Sequence, residues 1–420
     1  MEVLVRIFDG LSLNAVGLFF LRLIVTAPLC AGVLCYGFAS AQEPASIKIG
    51  TLFQSTGSSV DYGRHGSQGA RMAEKEINER GGILGRKLEV FVNNEGNTTT
   101  AIEEARRYIL KNGVDFLVGV DLSTVALAVS TEAKKHRKII LFTHAGTSQL
   151  TGMSCHRYAF RLVANAVMDA RAGALVMKDK PAKRWYGIGS NSDYGRDSWE
   201  AFQLAIREVR PEVQFVGEAW PDPFTSDYGP VISHAIQAKP DAVWSTLWGG
   251  DLVAFIRAAN ALDFFKHVKF FINPRGASLG VLVPLGDEMP GGLWVSTPYW
   301  FLHPASANNH VFVEAYRSLY GEYPGDVALS SYSAIYLLKQ AIEKVGSLDT
   351  EKIITQLEGI TYSDPEGLKT IRKQDHQAIT DVVWGRTTKS DKYPFRILDD
   401  FAAVPGEKIM RSIEETKCQM

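Results

Sequence analysis

The chain has 420 residues, 46% hydrophobic and 22% charged, an ordinary composition for a globular protein of two domains and one that excludes disorder and a coiled coil. A formal net charge of −1, with no cluster of Lys or Arg, removes the basic surface that drives association with nucleic acid, so no nucleic-acid partner is expected.

The first 41 residues stand apart. Leu11 to Phe38 is mostly apolar, is preceded by Arg6 and carries Arg22, and Ala39-Ser40-Ala41 gives a small-x-small signature before Gln42. The pattern predicts an export signal over residues 1–41, cleaved after Ala41. The alternative is an uncleaved anchor, since the apolar stretch is long enough to span a bilayer. Cys30 and Cys35 fall inside this segment. Cys155 and Cys418 remain beyond it, and in an oxidising compartment they either pair, tying the tail to the body, or stay as two free thiols.

Ile47 to Val92 sets the pattern for the rest of the chain. Ile47, Ile49 and Leu52-Phe53 form a short β-prone run, and Thr56 to Ser59 supplies turn residues. From Gly66 the period changes: Ala70, Ala73 and Ile77 share one helical face, with Arg71, Glu74, Lys75 and Glu79 on the other. Gly81-Gly82 ends the helix by its freedom to take positive φ, and a second strand comes after it.

This stretch resembles the start of the type I periplasmic binding proteins of the branched-chain amino-acid family, the solute receptors of ABC importers. The resemblance rests on Gln54-Ser-Thr-Gly57, Gly63, Gly66, Ala70, Ile77-Asn78, Gly81-Gly82 and Ile83-Leu84-Gly85-Arg86, in order and spacing, and continues over nearly all the chain after residue 45.

β-Prone runs recur at Val114 to Val120, Lys138 to Phe142, Arg184 to Gly189, Val213 to Trp220, Ala242 to Leu247, Val268 to Ile272 and Leu293 to Ser296. Helical stretches fall between them near residues 100–112, 123–136, 165–180, 195–209, 226–239 and 250–262. The alternation predicts an α/β fold of parallel sheets with helices on both faces, which binds ligands beyond the carboxyl ends of its strands. The resemblance implies two Rossmann-like lobes joined by a three-strand hinge. Residues 46–164 begin lobe 1, residues 165–297 begin lobe 2, residues 298–360 return to lobe 1 with helices Asn308 to Leu319 and Ala328 to Val345, and residues 361–420 form the tail of lobe 2.

Phosphate and metal motifs are missing. No Gly-Lys dipeptide occurs, Gly187-Ile-Gly189 lacks a third glycine, and no His-Glu-x-x-His or paired-Cys spacing is present, so neither cofactor nor metal is expected. Gly276-Ala-Ser278-Leu-Gly280 fits the G-x-S-x-G nucleophile elbow, with Asp326 and His376 following in order, but Asn273-Pro274-Arg275 separates it from its strand. An esterase using Ser278 is therefore the weakest reading.

The binding reading draws on loops at the ends of strands. Ser123 and Thr124 open a helix after Val114 to Val120, where a hydroxyl and helix N-terminal amides suit an anion or simply cap the helix. The resemblance implies a ligand-carboxylate role for Ser123, and contacts from the loop holding Ala145, Gly146 and Thr147, although Gly146 stands where relatives usually carry Thr. It also implies a cleft aromatic at Tyr194, in Ser192-Asp-Tyr194-Gly195, and another at Trp248. Arg275, in Pro274-Arg275-Gly276, replaces the acid that pairs with a ligand ammonium in relatives, and a guanidinium suits a carboxylate instead. Asp251 is the competing ammonium partner, unless it caps its own helix. The resemblance thus implies a monomeric periplasmic receptor that closes over a small carboxylate-bearing ligand, an amino acid or an aromatic or other organic acid, and presents it to an inner-membrane ABC permease. A sensor presenting to a regulatory partner is the alternative.

Overall fold

The structure, a computed structural model, describes residues 45–420, so the export-signal reading of residues 1–41 lies outside the described residues. The first sheet comprises β1 (Ile47–Phe53), β2 (Leu88–Asn94), β3 (Phe116–Gly119), β4 (Ile139–Phe142) and β5 (Ala159–Arg161), in the order β2-β1-β3-β4-β5 and all parallel. Three helices alternate with its strands: α1 (Val60–Glu79), α2 (Thr98–Arg106) and α3 (Ser123–Lys135). Ala70, Ala73 and Ile77 of α1 are fully buried with Ile47, Ile49 and Val90, as their spacing predicts.

The helix begins at Val60 rather than Gly66. A Cβ on Gly63 would stand 1.7 Å from the carbonyl oxygen of Gln54, so the first turn of α1 lies directly on the chain leaving β1. The residue marks a close approach of backbone to backbone, which a pattern of apolar spacing cannot show.

The second sheet holds β6 (Arg184–Ile188), β7 (Gln214–Ala219), β8 (Ala242–Ser245), β9 (Phe270–Asn273) and β10 (Trp294–Thr297), all parallel. After the small sheet of β11 (Thr361–Asp364), β12 (Gly367–Ile371) and β13 (Ala378–Ile379), two antiparallel strands, β14 (Val382–Thr388) and β15 (Ile397–Val404), complete the order β15-β14-β10-β9-β8-β6-β7. Its helices are α4 (Ala166–Met177), α5 (Asp193–Val209), α6 (Gly229–Gln237) and α7 (Gly249–Ala261). Trp185, Trp244, Trp384 and Phe202 fill one face of this sheet, Phe202 stacking on Trp244 at 4.0 Å.

The fold is therefore α/β with two lobes, one with a parallel and one with a mostly parallel sheet, each covered by helices. The chain passes between them three times: from β5 into α4, from β10 into the helices Ala307–Tyr320 and Asp326–Val345, and from β13 into β14. The tail from Thr361, expected with the second lobe, divides. Tyr362, Ile371 and Ala378 bury into the first core, and β14 and β15 join the second sheet. Gln377 ties two crossings together, donating from Nε2 to the Val163 carbonyl and accepting through Oε1 from Asn165 and Thr151. Cys155 and Cys418 are joined in a disulfide. Among the described residues no helix is long and apolar enough to cross a membrane.

Candidate ligand-binding site

Strands of both sheets aim their carboxyl ends at one cavity of about 220 Å³. From the first lobe it is lined by Ser59 beyond β1, Asn97 and Thr98 beyond β2, Asp121 to Val125 beyond β3, and His144 and Gly146 beyond β4. From the second come Ser190 and Tyr194 beyond β6, Phe224 beyond β7, Trp248 and Asp251 beyond β8, and Arg275 beyond β9.

Ser123 is the first residue of α3, so its own amide and those of Thr124 and Val125 belong to the first turn, whose N–H groups have no partner within the helix. The Ser123 hydroxyl oxygen accepts from the Thr147 amide at 3.1 Å, which fixes the side chain and leaves its proton available to an acceptor. Thr124 Oγ1 donates across the cleft to Asp193 at 3.1 Å.

Of the loop after β4, only His144 and Gly146 reach the cavity. Ala145 is fully buried in the core behind it, and Thr147 is fully buried with its carbonyl accepting from Arg161, so these two hold the loop rather than line the site. Gly146 has a reason to lack a side chain: a Cβ there would lie 2.5 Å from Cδ2 of Tyr194. A side chain at this position would require the Tyr194 ring to shift.

Arg275 is buried, and its charge is already partnered. Nη2 donates to Asp169 Oδ2 at 3.0 Å and to the Ala164 carbonyl at 3.4 Å, and Asp326 Oδ2 lies 4.0 Å from Nη1. Nη1 itself has no hydrogen bond, nor has the hydroxyl of Tyr194, whose ring the guanidinium faces at 5.8 Å. Burial works against the charge of Arg275, but Asp169, Tyr194 and Asp326 hold its pKa above the ordinary value. Burial likewise raises the Asp169 carboxyl, to about 6, against the pull of Arg275. Burial also raises the Tyr194 hydroxyl.

Asp251 sits in the first turn of α7 without capping it. Both carboxylate oxygens accept from the Phe224 amide, at 3.1 and 3.0 Å, holding the loop that carries the exposed Phe224 ring over the cavity, and burial raises its pKa. Trp248, at the N-cap of α7, meets Tyr62 edge-on at 5.3 Å and His144 at 5.6 Å, while His144 stacks on Tyr62 at 4.8 Å.

Sequence reasoning did not single out His144 and Phe224, which line the cavity, or Tyr62, which packs behind His144 and Trp248. His144 lies two residues beyond β4, a signal of the same kind that marked Ser123, whereas Tyr62 on a helix and Phe224 on a long loop have none. The esterase constellation does not assemble: Ser278 Oγ donates to Asp326, while His376 is stacked on Phe160 and bonded to the Ala159 carbonyl.

A family model described as periplasmic binding protein matches residues 46–392. The Leu/Ile/Val-binding protein homolog 4 of Brucella abortus is 25% identical over 424 residues, covering 95% of this chain and 99% of that one. A periplasmic binding protein from Burkholderia mallei superposes with a TM-score of 0.81 at 22% identity, covering 89% of this chain and 98% of that one. A solute-binding protein of an ABC transporter from R. palustris, solved with 4-hydroxybenzoate, gives a TM-score of 0.77 at 21% identity, covering 86% and 97%. With the match spanning both lobes and the cavity between them, the chain belongs to the periplasmic binding protein family.

Proposed function

We propose that this chain is the exported receptor of an ABC importer, closing its lobes over a small carboxylate-bearing ligand and delivering it to an inner-membrane permease. The observation that carries this reading is the pairing, in one cavity, of Ser123 and the α3 N-terminus from one lobe with Arg275 from the other. An anion meets oriented N–H donors on one side and the Arg275 guanidinium on the other. An ammonium is served less well. The lining carboxylates already accept from protein donors, Asp251 from Phe224 and Asp121 from Gln54 and His144, and Arg275 occupies the position from which relatives offer an acid. The R. palustris neighbour was solved with an aromatic acid and the Brucella relative carries a branched-chain amino-acid name, so both classes belong in the test.

A thermal-shift screen of amino acids, aromatic acids and other small acids against their uncharged amides decides it. Carboxylates are expected to raise the midpoint where the amides do not, since a ligand at 100 times its Kd adds about 2.7 kcal/mol. Arg275→Ala should then weaken the carboxylate by tenfold or more, the worth of one charge-assisted hydrogen bond. Tight leucine or valine binding that Arg275→Ala leaves untouched would return the protein to ordinary amino-acid recognition.

A further inference from the structure

Asp121 and His144 form a unit that the carboxylate site does not use. Asp121 has a fully buried side chain; its Oδ2 accepts from the Gln54 amide at 2.7 Å and its Oδ1 faces His144 Nδ1 at 3.2 Å. Glu95 lies directly behind, its two oxygens accepting from the amides of Asp121 and Leu122 and fixing the turn that carries them. An ionised carboxylate can only accept, so the proton between Asp121 and His144 sits on Nδ1, and in the neutral ring Nε2 presents its lone pair away from Asp121. The carboxylate behind the ring makes that lone pair a stronger acceptor.

His144 is only 6% exposed, lines the cavity, and among the described residues its Nε2 has no hydrogen-bond partner. This acceptor opens on the cavity beside the ring of Trp248, and its imidazole is held in place by Tyr62 stacked behind it. A ligand that satisfies this wall is planar and apolar along its body and carries a hydrogen-bond donor at its far end. An acidic hydroxyl on an aromatic ring meets all three demands.

We infer that His144 is a specificity-determining residue, whose Nε2 accepts a hydrogen bond from a ring hydroxyl of an aromatic acid held between Trp248 and Tyr194. The inference rests on the carboxylate reading of the cavity and narrows it to hydroxylated aromatic acids.

Calorimetry with benzoate, 4-hydroxybenzoate and 4-methoxybenzoate tests it, because methylation keeps the oxygen and removes the proton. The wild type is expected to bind 4-hydroxybenzoate about tenfold or more tightly than either of the others, the worth of one hydrogen bond to a buried acceptor. His144→Phe keeps an aromatic ring without the acceptor and should bring 4-hydroxybenzoate to the level of benzoate on the same variant. A readout that needs no variant is the ultraviolet spectrum of 4-hydroxybenzoate, which should shift to the red on binding the wild type as its hydroxyl leans on a base. Benzoate and 4-hydroxybenzoate binding equally well to the wild type, or a preference that survives His144→Phe, overturns the role of His144 and leaves the carboxylate site standing. Failure of all three acids to bind overturns the carboxylate reading, and the assignment of His144 falls with it.

Discussion

Arg275 carries a partner into the cavity wall, and that partner makes the site sensitive to pH. Asp169 is buried beside it, with a pKa of about 6 in the folded protein against about 3.9 for an unperturbed Asp. Because folding raises this value, the stability tied to its proton is fully present below about 3.9 and is lost as pH rises through 6. Binding depends on the same proton. Below pH 6 a neutral Asp169 leaves the charge of Arg275 opposed by Asp326 alone, at 4.0 Å, and the cavity becomes more positive. A carboxylate confirmed by the screen is therefore expected to bind several-fold to about tenfold more tightly at pH 5.5 than at pH 7.5. Asp169→Asn should flatten that dependence. Equal affinities at the two pH values in the wild type would show that the Asp169 proton is not coupled to the ligand. Arg275 could be picked out in the sequence because the resemblance implies an acid in relatives at Pro274-Arg275-Gly276. Asp169 could not, because it lies 106 residues away on a helix and nothing in its neighbours marks it.

At the scale of elements, regular alternation was readable, because β3, β4, β6, β8 and β9 are short apolar runs buried on both faces of a parallel sheet. Three-residue β5 carries too little pattern to register, and the tail divides between lobes because packing of Tyr362 and Ile371, not composition, decides its side. The last residues form a strap that sequence could not place. Arg171 on α4 donates to the Met410 carbonyl at 2.7 Å, Arg411 donates to the Ser148 carbonyl at 2.8 Å on the first lobe, and Cys418 is bonded to Cys155 there. The strap thus touches both lobes and is covalently closed over 263 residues of chain. A cross-link over so long a loop chiefly restricts the unfolded chain, so Cys418→Ser is expected to cost about 2–4 kcal/mol and to lower the thermal midpoint by several degrees. The same midpoint in the variant and in the unreduced wild type, or two titratable thiols in unreduced protein beginning near Gln42, would contradict the bridge.

For the whole molecule the question is what holds the lobes together across the cleft. Near the hinge, Ser148 donates from its amide and its hydroxyl to Asp197, at 2.6 and 3.0 Å. Farther out the direct contacts include the exposed Thr124–Asp193 hydrogen bond, the edge of Trp248 against Tyr62 and His144, the buried bond from Ser278 to Asp326 at 3.3 Å, and the apolar packing of Met72 and Ala328 with the second-lobe core. An exposed polar contact competes with water and contributes little, and one aromatic pair adds about 0.5–1.5 kcal/mol beyond its buried area. A ligand bonded to Ser123 on one lobe and Arg275 on the other adds its binding energy to the closed form alone, on top of these contacts. Ligand is therefore expected to shift the population toward closure. Small-angle scattering should show a smaller radius of gyration with a confirmed ligand than without, and Trp248, at the seam, should change its fluorescence over the same titration. Asp193→Ala removes only the exposed bond and should leave the ligand-driven compaction in place. Identical scattering profiles at saturating ligand would mean that the Tyr62–Trp248 seam and the hinge contacts suffice to keep the lobes shut, and that entry to the cavity depends on the Pro223-Phe224 loop over its mouth instead of a movement of the lobes.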